Sequence, residues 1–188
     1  MAQFQRSSGR HRIRKMVYAA VIAALYVTLG IVFAPISFGP VQLRISEAMA
    51  ILPVFNPAAI WGLALGCAIT NFIGMSTGAN LLGAVDIYVG TAATIIAAVL
   101  TWLLRNRKEK TLPVLATLPP VFVNALFIGA ELCFAFSGSI KWTRGWYIEF
   151  FGFVASVAGG QLVACTVLGL LLYISLEKTK AGNALREL

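Results

Sequence analysis

The run from Met16 to Phe33 constrains this chain most: 18 consecutive residues carry no charge. A helix needs about that length of apolar sequence to cross the ~30 Å hydrocarbon core of a bilayer. Five more apolar runs follow, at about 44–56, 57–74, 86–104, 112–136 and 147–176. Only 12% of the 188 residues are charged and 59% are hydrophobic, too little charge to cover a soluble surface of this size. The predicted fold class is an all-α integral membrane protein, a bundle of six transmembrane helices. A cleaved signal peptide is the alternative for the first run. Its apolar length exceeds a signal core of about 7–15 residues, so a retained span is expected.

The second run is short. It closes at Pro53 and Pro57, and at ~1.5 Å per residue it cannot cross a bilayer alone. It is expected to tilt, to sit beside thinned lipid or to start below the outer surface.

Basic residues set the orientation. Arg6, Arg10, Arg12, Arg14 and Lys15 precede the first run, Arg105, Arg107, Lys108 and Lys110 separate the fourth and fifth, and Lys178, Lys180 and Arg186 follow the sixth. Only Arg44, Lys141 and Arg144 fall on the other side of a six-span arrangement. The positive-inside bias then places both termini in the cytoplasm of a plasma-membrane protein. The domain reading is a basic tail at 1–14, a membrane domain at 15–176 and a second cytoplasmic tail at 177–188. The net charge of +8 reflects these flanks rather than a nucleic-acid face, and no nucleic-acid partner is expected. The outward segments 35–43, 75–85 and 137–146 are rich in Gly, Ser, Pro or Trp, suited to loops that fold over a pocket.

Catalysis finds little purchase. Cys67, Cys133 and Cys165 sit singly in apolar stretches, His11 is the one histidine, and no G-x-x-x-x-G-K-[ST] sequence is present. Neither a nucleophile–histidine pair, a metal set nor a nucleotide loop can be assembled, and no cofactor is expected.

Polar side chains in the apolar runs are the functional candidates, because an ionised group in a bilayer costs several kcal/mol or more. Glu47, Asp86, Glu131 and Glu149 all fall toward the outward ends of their runs. Helix-dipole capping could explain Glu47, Asp86 and Glu149. Glu131 lies deeper and is expected to face an interior pocket. Asn71, Asn80, Asn124 and Gln161 share the outward bias, although a lone amide in a span is often helix–helix glue. Arg44 and Glu47, three apart, would share a helix face, and an ion pair between them would orient Glu47. Trp142, Trp146 and Tyr147 supply aromatic surface at the expected pocket mouth, or an interfacial belt. Carboxylates, amides and rings together suit a small, planar, nitrogen-rich ligand. In the first run, Ala19, Ala20, Ala23 and Ala24 form a small-residue face that would admit another helix, from a partner or from the chain itself.

The stretches "LRISEAMAILPVFNPAAIWGLALGCAITN" at 43–71 and "GAVDIYVGTAATIIAA" at 83–98 resemble the substrate-binding S components of energy-coupling factor (ECF) transporters, specifically the QueT-type queuosine-precursor group. The resemblance spans nearly the whole chain. It implies a capture subunit for a deazaguanine-type base, partnered by a transmembrane coupling protein and two ATPase subunits. It places Glu47 and Asp86 where related components contact ligand, and Ala19 and Ala23 look like the A-x-x-x-A docking motif of such components. The expected binding set is Arg44, Glu47, Asn71, Asn80, Asp86, Glu131, Trp146 and Gln161. A stand-alone proton-coupled transporter for a small nitrogenous solute is the alternative, with Glu131 or Asp86 as proton carrier.

Overall fold

The computed structural model describes residues 2–38, 43–80, 82–105, 113–138, 143–179 and 181–188. Every element among them is helical: α1 (Ala2–Val32), α2 (Ala34–Ser37), a 3-10 helix (Ile45–Val54), α3 (Ala59–Ser76), α4 (Ala84–Leu103), α5 (Val114–Ser137), α6 (Arg144–Gln161), a π-helical stretch (Leu162–Leu168), α7 (Gly169–Lys178) and α8 (Ala181–Arg186). Five stretches are long and apolar enough to cross a membrane: His11–Val32, Ala59–Ser76, Ala84–Leu103, Val114–Ser137 and Arg144–Lys178. Trp142 and the basic residues Arg107, Lys108, Lys110, Lys141 and Lys180 lie outside the described residues.

The expected second span takes a form the sequence did not suggest. It is a 3-10 helix of 10 residues with Pro53 inside it, roughly 20 Å long at ~2.0 Å per residue. Rather than tilting in lipid, it is enclosed by protein. Residues of α1, α3, α4, α5, α7 and the π-helical stretch all pack on it. Ser46, Glu47 and every residue from Met49 to Val54 are buried. Backbone too short or irregular for a lipid-exposed span is tolerated at membrane depth when protein surrounds it.

Close glycine contacts give the register of α1 on α3. A Cβ on Gly62 would lie 2.6 Å from the Ala19 carbonyl oxygen, and one on Gly66 would lie 3.2 Å from Ala23 Cα. Further along, Gly30 meets Thr70, and Phe38 meets Gly74. Residue numbers rise together along both helices, so α1 and α3 run parallel, and the 3-10 helix with its flanks carries the chain back between them. The Ala19–Ala23 face is therefore turned inward against Gly62 and Gly66. Of the two readings open from the sequence, packing within the chain is the one this structure holds, and Ala23 is buried. Small residues on both sides let the backbones approach in lipid, where apolar burial drives little association.

Proline placement in α5 is compensated locally. Pro120 lacks the N–H that would bond the Ala116 carbonyl. The Thr101 hydroxyl of α4 donates to that oxygen instead, at 2.9 Å. Near the same end the chain closes on itself: Asn56 Nδ2 donates to the Leu185 carbonyl at 3.0 Å, the Arg186 guanidinium lies 5.1 Å over the Phe55 ring, and Arg186 pairs with Glu177. Ala184 and Leu188 line a groove with Ile13 and Arg14, so the two ends of the chain share one end of the bundle.

Gly62→Ala is expected to lower stability by about 1–3 kcal/mol through overpacking against the Ala19 backbone. Gly152, with no atom near its Cβ position, should instead gain a few tenths to 1 kcal/mol on the same change. Opposite signs in detergent unfolding of the two variants check the parallel α1–α3 contact.

Candidate functional site

Arg44 precedes the 3-10 helix in an extended conformation, at φ −87° and ψ 98°. Its side chain therefore does not follow the helix face, and it pairs with Asp86 rather than with Glu47. Arg44 Nη2 donates to Asp86 Oδ2 at 2.7 Å, with the two side chains 6% and 0% exposed. The expected Arg44–Glu47 ion pair is replaced by two separate pairings. Glu47 accepts a hydrogen bond from the Tyr26 hydroxyl of α1.

Asp86 stands in the first turn of α4, where the helix dipole favours an anion. Gly83, at φ 62°, turns the chain into that helix. Asn80 holds the approach: its side-chain oxygen accepts from Leu82 N at 3.0 Å, and its N–H donates to the Gly74 carbonyl at 2.9 Å. So fixed, Asn80 Nδ2 donates to Asp86 Oδ2 at 2.8 Å, while Asn71 Nδ2 donates to the Asp86 backbone carbonyl at 2.8 Å. Both asparagines expected in the binding set thus hold Asp86. Its second oxygen, Oδ1, is buried without a hydrogen-bond partner among the described residues, as are Arg44 Nε and Asn71 Oδ1.

Beside this cluster lies a tight crevice, closed to a water-sized molecule in this structure and lined by Arg44, Glu47, Gly90, Thr94, Asn124, Ile128 and Gln161. Four parts of the fold build it. Gly90 and Thr94 continue the Asp86 face of α4 at four-residue intervals. Asn124 and Ile128 do the same on α5. Gln161 ends α6 where the helix widens into the π-helical stretch, a distortion that recurs at functional sites. Its side-chain oxygen accepts from the Cys165 thiol at 2.9 Å.

Glu131 shares the α5 face of Asn124 and Ile128 and is 9% exposed, with both carboxylate oxygens lacking hydrogen-bond partners among the described residues. It does not line the space itself. Trp146 is half-buried in the first turn of α6, stacked on Phe150 at 5.5 Å and edge-on to Tyr147 at 5.4 Å. Neither ring lines the space. Glu149 is exposed and accepts from the Ser137 hydroxyl at 2.8 Å, a link between α5 and α6.

Sequence reasoning left Tyr26, Gly90, Thr94 and Ile128 out of the site and did not carry Asn124 into the binding set. Spacing held the missing signal. Tyr26 falls on the Ala19–Ala23 face at i+7 and i+3, and Gly90 and Thr94 fall on the Asp86 face at i+4 and i+8.

The family model for QueT transporters matches residues 16–178, which include the 3-10 helix and every residue of this cluster. The chain belongs to the QueT transporter family. It is a multi-pass membrane protein of a transporter family rather than an enzyme. The "Queuosine precursor transporter QueT" of Lactococcus lactis subsp. cremoris (strain MG1363) is 35% identical over 94 residues, 49% of this chain and 52% of that protein. The similarity thus spans about half the length of that relative. No solved structure matches.

Two variants test the cluster. Asp86→Asn leaves the Arg44 charge buried without a counter-ion and should cost about 3–5 kcal/mol, whereas Arg44→Met with Asp86→Leu should recover most of that in equilibrium unfolding. A Cβ on Gly90 would fall 2.4 Å from Asp86 Oδ1 and 2.8 Å from Asn71 Nδ2. Gly90→Ala should therefore lower the thermal midpoint despite the better helix propensity of alanine.

Proposed function

We propose that this chain captures a queuosine precursor, a deazaguanine-type base, between the 3-10 helix, α4, α5 and the α6–α7 junction. The observation that carries the reading is the set of buried groups gathered there from distant parts of the sequence, several with unused hydrogen-bonding capacity. Asp86 Oδ1, Asn71 Oδ1 and both Glu131 oxygens, beside the space rather than in its lining, lack hydrogen-bond partners among the described residues, as does Arg44 Nε at its edge. Such a set favours a ligand rich in N–H groups, and a base edge or an ammonium provides them. The name of the Lactococcus relative and the family membership point to the same class of molecule. In this structure the lining closes nearly on itself, so the ligand enters as side chains part.

The full proposal is an ECF substrate-capture subunit. Six passes are reached by counting the enclosed 3-10 helix, and the basic flanks place both termini in the cytoplasm. Uptake energy then comes from a transmembrane coupling protein and two ATPase subunits, as in the S components the sequence resembles. The half-buried Ala19 and buried Ala23 are poor candidates for direct docking, and the exposed Ala20 and Ala24 of the same helix are better placed. A stand-alone proton-coupled transporter draws support from the buried Glu131, whose carboxylate has no hydrogen-bond partner among the described residues. Uptake by the chain alone in vesicles, driven by a proton gradient, would select that second reading.

Identification of the small molecule that co-purifies with the chain, followed by calorimetry with the deazaguanine base, tests the proposal directly. Glu47→Gln is expected to weaken binding at least tenfold, about 1.4 kcal/mol. Unchanged affinity in that variant, or no binding of the base by the wild-type chain, would remove the assignment.

A further inference from the structure

A second recess lies outside the cluster just described, at the end of the bundle where the two chain ends meet. It is a groove of about 540 Å³ lined by His11, Arg12, Lys15, Met16, Ala19, Pro57, Ala58 and Trp61. Its walls are one face of α1 and the start of α3. Ala19, which meets Gly62 closely, stands at one end of the lining, and His11 and Arg12 stand toward the beginning of α1.

Its chemistry is divided along its length. Apolar surface from Met16, Ala19, Pro57, Ala58 and Trp61 occupies the end toward the bundle, with the Trp61 side chain 72% exposed and Met16 65%. The other end holds His11, Arg12 and Lys15. The groove has no carboxylate in its lining, and neither Arg12 nor Lys15 has an ion pair among the described residues. An occupant that matches this division carries an anion at one end and a hydrocarbon chain at the other.

We infer that this groove is a binding site for an anionic phospholipid, with the headgroup phosphate held by Arg12 and Lys15 and an acyl chain laid along Met16, Ala19 and Trp61. Long basic side chains reach the headgroup layer while their stems lie on apolar surface, and an indole is favoured at that depth. A basic side chain near an anionic membrane surface contributes about 1 kcal/mol, roughly a fivefold change in affinity. The inference depends on this end of the bundle alone and stands apart from the identity of the transported molecule.

The full chain in nanodiscs of phosphatidylcholine, with increasing brominated-chain phosphatidylglycerol or brominated-chain phosphatidylcholine, provides the test. The quenching lost on Trp61→Phe isolates the Trp61 signal. Phosphatidylglycerol is expected to quench Trp61 at a many-fold lower mole fraction than phosphatidylcholine, and Arg12→Gln and Lys15→Gln should each raise that fraction roughly fivefold. Arg14→Gln, one charge removed from the neighbouring face of α1, should leave it unchanged. Equal quenching by the two lipids would overturn the site, as would an equal loss with Arg14→Gln, which would reduce the effect to general surface charge. Shielding of Trp61 by a purified coupling protein in phosphatidylcholine alone, with no lipid preference, would assign the groove to a protein partner and overturn the lipid.

Discussion

A buried arginine and a buried aspartate cannot be left apart inside a membrane protein, and their pairing organises the middle of this one. The Arg44–Asp86 contact joins the entry of the 3-10 helix to the first turn of α4, although 42 residues separate them. Asn80 adds a second donor to the same carboxylate oxygen, and Asn71 ties down the Asp86 backbone carbonyl. Removing two charges from water is expensive, and such a pair is a weak source of net stability. What it supplies is position: it fixes where the backbone before Glu47 must lie.

Everything that surrounds the pair follows from enclosing a short helix. Ten residues of 3-10 helix cannot cross a bilayer, yet α1 and α3 run parallel and the chain has to return between them. The long helices therefore surround that segment and shield its irregular backbone from lipid. This arrangement carries polar groups to the centre of an otherwise apolar bundle. Tyr26 and Asn124 meet Glu47 there because α1 and α5 pack on the 3-10 helix, and Gln161 arrives from the end of α6, where the π-helical stretch that packs on the 3-10 helix begins. Membership of a transporter family gives such a polar centre an obvious use.

Much of this was legible in the chain itself. The apolar run lengths gave the five long spans, and the shortness of 44–56 marked the segment that behaves differently. The bias of acids and amides toward one end of their runs marked Glu47, Asp86, Glu131, Glu149, Asn71, Asn80, Asn124 and Gln161 together; Asp86, Asn71 and Asn80 do share one hydrogen-bonded cluster, whereas Glu149 is exposed and bonds Ser137. Trp146 was legible only as an aromatic near a helix start, because whether it faces a cavity or its own neighbours depends on the rotation of α6.

Sequence alone determined that this chain is an all-helical membrane protein with buried acids, since length, hydropathy and the cost of burying charge are properties of each segment by itself. Tertiary structure decided who pairs with whom. Arg44 bonds Asp86 instead of the nearby Glu47 because its backbone is extended just before the helix begins. Ala23 packs on Gly66 because α1 and α3 lie parallel and close. Both outcomes depend on the relative placement of distant segments, and no local periodicity records that placement.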